Sequence, residues 1–526
     1  MQQTYSQIDR AIAALPLQWR GPGGAVAVVR DGETIVRHAW GYADLDRRIA
    51  MSPQSLMPIC SVTKQFTCGL MLDLFADPSV LDADVAAWLP LMEGPRPTAL
   101  QLAHNQSGLR DYWALTVLHG AMAEGVFTAK DARELIGRTR STHFTPGHSY
   151  SYSNGNFHML GEILAERAGR DLGELLSERI LAPAGMESAR LAPDTAQRPG
   201  DVMGYEGNAA TGFFPAVNRI WWAGDAGMVA SLDDLIAWEK FIDRTRGEKD
   251  GLYARLSQPQ TFADGNPASY GFGLAHAEHN GVHTIGHGGA LRGWRCHRVH
   301  VPSERLSVVV MFNHEANARA AAFSVLDAVR GSATAPAELH QPHQTFKGHF
   351  LCPETGLSVT LTPLQGSSLH LRYGTGAEIL NLLDEKTATG DQTLLRASDE
   401  GLRMDRRQEN FSTLLQPLEA LPEDNLVSAG DIAGRYSAVE LQSGLDITIS
   451  GGQPFGAFSG FLGQGPVQPL FAIAPDVWLM PVRRSMDAPA PGDFTLLVRR
   501  DATGRVSGIE VGCWLARHNV FERVDA

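Results

Sequence analysis

Ser61-Val62-Thr63-Lys64 places a hydroxyl and an amine three residues apart. On a helix that spacing brings both side chains onto one face. A serine hydroxyl attacks poorly until a neighbouring base takes its proton. A lysine can be that base once desolvation lowers its hold on a proton. The chain sets this pair apart. Only six of its 45 basic residues are lysines, and no other lysine has a serine three positions before it. Arginine stays charged and cannot take the role. Read alone, the pattern also fits a helix start with Ser61 as N-cap and Lys64 in solvent.

Two further stretches carry compatible chemistry. Tyr152-Ser153-Asn154 follows Phe144-Thr145-Pro146-Gly147. A phenol relays a proton when a nearby cation lowers its pKa. An asparagine can orient a lysine and a substrate amide together. His287-Gly288-Gly289-Ala290 lies between apolar, strand-like segments. Its glycines let backbone approach a ligand closely, and a strand edge there could offer an N–H to an oxyanion. Each stretch alone reads more readily as a polar turn or a core histidine.

The elements that must position these residues are legible. Residues 1 to about 330 read as one large α/β segment. An amphipathic helix near Tyr5–Leu15 leads to Gly21-Pro22-Gly23-Gly24. Ala25–Val29 and Thr34–Trp40 are β-rich runs around Asp31-Gly32, a strong hairpin signal. Phe66, Leu70 and Leu74 recur every fourth residue, so a buried helix should begin at Ser61 and end before Pro78. Its dipole favours developing negative charge at Ser61. Further helices are expected around Ala129–Arg138 and Gly155–Glu166, and strands over 268–313. Residues 332–345 read as a linker. Beyond it, Gly348-His349-Phe350 with Gly356–Leu361 resembles Gly434-Arg435-Tyr436 with Gly444–Ile449. That repeat predicts two small antiparallel β domains, both barrels, breaking within 421–425.

Bulk properties narrow the function classes. A net charge of -13 argues against nucleic acid as a partner. Five cysteines, odd in number and widely spaced, form neither a disulfide framework nor a zinc cluster. Cys60 reads as a buried structural thiol rather than a nucleophile. There is no run of about 18 apolar residues for a membrane span. Without a signal-peptide pattern, the simplest expectation is a reducing cytoplasm.

Together the three motifs resemble the penicillin-recognising serine enzymes: serine β-lactamases, D,D-peptidases and their esterase and aminopeptidase relatives. Ser61-x-x-Lys64 matches the first family motif, and Tyr152-x-Asn154 the second in its class C form. His287-x-Gly289 stands where most members have Lys-Thr-Gly. The stretches Pro58–Cys68, Asn105–Trp113, His287–Trp294 and Gly512–Arg517 are similar to the D-stereospecific aminopeptidase branch.

That resemblance implies a catalytic domain over 1–331, an antiparallel sheet flanked by helices. Two β-barrel domains over 346–421 and 428–526 would follow. It implies acyl transfer through Ser61, with Lys64 taking the proton and Tyr152, with His287 behind it, passing one to the leaving amine. The oxyanion hole would be the N–H groups of Ser61 and Ala290, with Asn154 and Gly289 contacting substrate. A loop of the last domain, Arg483-Arg484-Ser485-Met486-Asp487-Ala488-Pro489-Ala490-Pro491-Gly492-Asp493, would reach the active site. Asp487 would receive the substrate ammonium. No metal or organic cofactor is needed, and a homodimer is implied. Histidine at 287 is not a permanent cation, which weakens carboxypeptidase and β-lactamase readings. Three readings stay open: hydrolysis of D-amino-acid amides, esters and short peptides; a β-lactamase-like esterase or D,D-peptidase; and a non-catalytic scaffold.

Overall fold

The computed structural model describes residues 2–197, 200–332, 340–421 and 429–524. An eight-stranded antiparallel sheet forms the frame of the first part. Its order is Tyr270–Gly271, Leu274–His279, Val282–Leu291, Trp294–Val301, Leu306–Phe312, Gly23–Arg30, Glu33–Asp44 and Ile49–Ala50. The expected hairpin is present, turning at Asp31 and Gly32, both with positive φ. Strands buried on both faces should be apolar without alternation. Leu306–Phe312 is such a strand, wholly buried at the centre of the sheet. Val308 and Val310 pack against Ala321, Val325 and Leu326 of the helix Ala318–Arg330. Val309 and Met311 face the opposite layer, which contains Phe66 and Leu70.

That second layer is helical and carries the motifs. The helix Thr63–Leu74 is buried almost throughout and stops before Pro78, as its periodicity predicts. Asn154–Ala168 packs beside it and ends in an αL glycine, Gly169. Gly169 needs that conformation because a left-handed C-cap is strained for residues with a Cβ.

The repeat is real in three dimensions, but its two copies close differently. The first is a closed eight-stranded barrel running from Gly348–Cys352 to Phe411–Pro417. The second is a ten-stranded half-barrel sheet, from Gly434–Ala438 to Ala516–Arg523. The chain changes partner strands at Leu470, whose N–H bonds the Pro454 carbonyl at 3.0 Å. Gln468–Pro469 pairs with Gln453–Gly460, whereas Phe471–Ala474 pairs with Val477–Met480. The expected linker 332–345 and the break within 421–425 fall largely outside the described residues. No helix among the described residues is long and apolar enough to cross a membrane.

Candidate active site

Ser61 lies in a 3-10 turn, Cys60–Val62, immediately before the helix Thr63–Leu74. Cys60 takes φ +53°, a left-handed value for a residue with a side chain. Such a backbone costs of order 1 kcal/mol or more, and the packed surroundings must hold it. Strand Val282–Leu291 supplies that packing. A Cβ on Gly289 would collide with the Ile59 carbonyl and crowd Cys60, so this glycine permits the approach. Cys60 itself is fully buried, and burial pushes its thiol up to about 12. It is a structural thiol.

Lys64 has no solvent exposure. Its Nζ donates to Ser61 Oγ at 3.1 Å, Asn154 Oδ1 at 2.8 Å and the Asp225 carbonyl at 2.8 Å. Burial lowers its pKa to about 8, partly opposed by the charges of Asp225 and Asp111. Asn154 is oriented from behind. Its backbone N–H donates to Asp111 Oδ1 at 2.6 Å and its Nδ2 to Asp111 Oδ2 at 3.2 Å. A carboxylate accepts only, so the amide oxygen must face Lys64. Tyr152 lies over the same lysine, with Nζ 4.9 Å from the ring centroid. Desolvation raises its phenol well above the ordinary value, and a hydrogen bond with Ser61 partly offsets this.

His287 departs from the expected arrangement. Its ring centroid is 6.2 Å from that of Tyr152, but its Nε2 is bonded to the Tyr270 hydroxyl at 3.0 Å. The histidine is therefore tied to Tyr270 rather than standing behind Tyr152. Burial, then the charge of Lys64, lowers its pKa to about 3. The ring is neutral at physiological pH.

These groups open into one cavity of about 820 Å³ built by all three parts of the chain. Ser61, Tyr152, Asn154, His287, Gly289 and Ala290 line it from the catalytic part. The barrel contributes Tyr373–Glu378 and Asp391, and the last sheet contributes Trp514 and Leu515. The loop after Val477–Met480 does reach this site. Arg484–Ser485 and Ala488–Pro489 form a small hairpin, and Ser485, Ala488, Pro489 and Ala490 line the cavity. The loop is pinned at both ends. Arg484 bonds Glu206 at 2.8 Å and Glu315 at 2.9 Å, while Asp493 pairs with Arg372 of the barrel.

Asp487 is absent from the cavity wall. Its side chain is buried on the other side of the hairpin, where Oδ2 accepts the Thr195 hydroxyl at 2.8 Å. Burial raises its pKa to about 7 despite Thr195, Asn218 and the charges of Arg292 and Arg484. The cavity wall does contain acidic side chains. Glu315, Glu378 and Asp391 are each paired with an arginine. Asp111 has no ion pair among the described residues, and burial raises it to about 7.

Sequence reasoning therefore missed Asp111, Asp225 and Tyr270. Asp111 stood inside a noted stretch without a role. Tyr270 had a usable signal in the glycines that follow it. Gly273, with φ +75°, brings the chain against the backbone of Lys64 and Gln65, where a Cβ would lie 2.6 Å away.

The comparisons with known proteins agree with this architecture. The β-lactamase family model matches residues 8–329, and that of D-aminopeptidase domain B matches 339–522. A D-aminopeptidase of Brucella canis is 50% identical over 517 residues, covering 98% of each chain. One of Brucella anthropi is 48% identical, covering 99% of this chain and 98% of that protein. A D-amino acid amidase from Ochrobactrum anthropi SV3, solved with D-phenylalanine, shares the fold of the catalytic part. It superposes with a TM-score of 0.52 at 20% identity, covering 63% of this chain and all of that one.

Proposed function

We propose a reaction from one premise: the chain belongs to the D-aminopeptidase family, serine hydrolases whose catalytic domain is of β-lactamase type. The enzyme releases an N-terminal D-amino acid from amides, esters and short peptides. Ser61 Oγ attacks the carbonyl carbon of the first residue while Lys64 takes its proton. The N–H groups of Ser61 and Ala290 stabilise the oxyanion, a contribution typically worth about 3 kcal/mol per donor. The proton held by Lys64 then passes through Tyr152 to the leaving amine, which restores both groups. Water then cleaves the acyl-enzyme through the same groups. Among the candidate bases, Lys64 is favoured over Tyr152. The lysine is brought towards neutrality by burial, whereas the phenol is pushed away from ionising.

The observation that carries this reading is the buried Lys64 amine 3.1 Å from Ser61 Oγ, held by Asn154. For the substrate ammonium we favour Asp111 over Asp487, because Asp111 lines the cavity without an ion pair. The loop 483–493 then acts as a wall at the substrate rather than through the Asp487 carboxylate. All five cysteines are free and buried, which fits the reducing cytoplasm expected from sequence. A homodimer remains part of the proposal and is checked by sedimentation. The central test is turnover of D- against L-alanine p-nitroanilide by wild type and Ser61→Ala. Release from the D-isomer, lost in Ser61→Ala, supports the reading. Equal rates on both isomers, or faster turnover of nitrocefin, overturn it in favour of a β-lactamase-like esterase.

A further inference from the structure

Two phenols, Tyr152 and Tyr270, flank the imidazole of His287, and a third, Tyr150, packs on Tyr270. Tyr150 and Tyr152 have ring centroids 5.5 Å and 6.5 Å from that of Tyr270. The Tyr270 and His287 rings are 5.6 Å apart and close to perpendicular, at 73°. Of these phenols it is Tyr270 that bonds the ring, through Nε2 at 3.0 Å.

The other ring nitrogen fixes the protonation pattern. His287 Nδ1 lies 2.5 Å from the Gly288 carbonyl oxygen. A carbonyl only accepts, so Nδ1 carries a proton. In the neutral ring Nε2 then holds a lone pair, and the Tyr270 hydroxyl donates to it. Both polar positions of the ring are thereby used without the participation of Tyr152.

We propose that Tyr270 is a positioning residue that locks His287 in the Nδ1–H tautomer and denies its Nε2 to the Tyr152 proton. The groups around the ring reinforce this state. Lys64 and Arg298 are cations whose charge opposes a second proton, and His297 on the adjoining strand is itself buried and neutral. A hydrogen bond donated to the lone pair stabilises the neutral form further. The position occupied by a lysine in most of the resembled enzymes thus holds a neutral ring whose acceptor is already taken. Proton traffic is confined to Ser61, Lys64 and Tyr152, and His287 serves as a fixed, polar part of the wall.

The test reads the ring directly in the full-length enzyme labelled with 15N-histidine, the His287 signals being assigned by their loss in His287→Gln. In wild type, Nδ1 should give a protonated signal and Nε2 a lone-pair signal, unchanged from pH 5.5 to 9. In Tyr270→Phe the Nε2 signal should shift, and the ring should titrate or mix tautomers inside that range. The kcat/KM profile of Tyr270→Phe on D-alanine p-nitroanilide should then show a second ionisation, which disappears in Tyr270→Phe/His287→Leu. A wild-type ring protonated on Nε2, or titrating between pH 5.5 and 9, overturns the proposal without recourse to any variant. So does a Tyr270→Phe ring whose tautomer and titration match wild type. The kinetic arm rests on the proposed acyl transfer. The spectroscopic arm does not, so an enzyme inactive on D-alanine substrates would sink that reading and leave this one still decided by the spectra.

Discussion

Lys64 Nζ sits 3.1 Å from Ser61 Oγ, with its own side chain sealed from solvent. An amine in that position is a base only because water is excluded around it. Replacing Ser61 by alanine should abolish turnover of D-alanine p-nitroanilide. Lys64→Arg keeps a cation but offers no base, and should lower kcat by ~10²–10⁴, the usual contribution of a positioned proton carrier. Tyr152→Phe should fall in the same range. Stopped-flow measurement of acylation checks all three. A Lys64→Arg enzyme within tenfold of wild type would remove the lysine from the chemistry.

The same lysine sets the pH dependence. Its folded pKa of about 8 means that the neutral, competent form grows as pH rises through 8. On p-nitrophenyl acetate, which carries no ammonium to titrate, wild-type kcat/KM should climb to a plateau above that pH. Stability follows by linkage. The folded value lies below the ordinary 10.5, so the folded state binds fewer protons than the unfolded one between about 8 and 10.5. Stability therefore rises with pH across that window, by ~3 kcal/mol at most. Urea unfolding at pH 8 and 10.5 should show this rise in wild type and lose it in Lys64→Met.

Asp111 and Asp487 should separate in two assays. Asp111→Asn should lose ~10-fold more activity on D-alanine p-nitroanilide than on p-nitrophenyl acetate, which carries no ammonium. Asp487→Asn should affect the two substrates alike. A preferential loss in Asp487→Asn would restore that carboxylate as the ammonium receptor. Stability gives the second signature. Asp487 is raised from 3.8 to about 7, so ionising it costs the fold progressively from pH 4 to 7. Asp487→Asn should accordingly melt higher than wild type at pH 8, with the advantage gone at pH 4.

What the sequence could reveal follows the range of the interactions. Ser61 and Lys64 are one turn apart, so local spacing alone joined them. The central strand Leu306–Phe312 and the hairpin at Asp31-Gly32 are likewise written in short patterns. Tyr152, Asn154 and His287 became legible through family motifs. The bond from Tyr270 to His287 reaches across the intervening strand Leu274–His279, and no periodicity encodes it. Asp111 acquires its role from Asn154, 43 residues away. The family resemblance puts Asp487 on a loop at the active site, but which side of a two-residue turn faces the cavity is decided by Thr195, Arg292 and packing. In the second barrel-like sheet the chain changes partner strands within a few residues around Leu470, below what alternating patterns resolve.

The buried pair Arg298–Glu239 offers a test of the scaffold beneath the site. It is bidentate, at 2.5 Å and 2.9 Å, and neither side chain is exposed. Removing one partner strands a charge in the core. Arg298→Met should cost ~3–5 kcal/mol, and Arg298→Met/Glu239→Leu should recover most of it. Urea midpoints of the two variants decide. A double variant no more stable than the single one would show that the pair is needed as a pair.

One feature of the site bears on how the enzyme is made. The Arg110 guanidinium is held by the Arg517 carbonyl, 407 residues further along the chain, and the Asp111 N–H by that of Leu515. At synthesis rates of ~5–20 residues per second, the ribosome needs roughly 20–80 s to deliver that partner after Arg110 has emerged. The nucleophile and its base leave the ribosome early, but the wall that supports Asp111 and Asn154 arrives only with the stretch Leu515–Arg517. The nascent chain therefore carries an unfinished hydrolase until that stretch is made, and a chain terminated before it lacks the part that completes it.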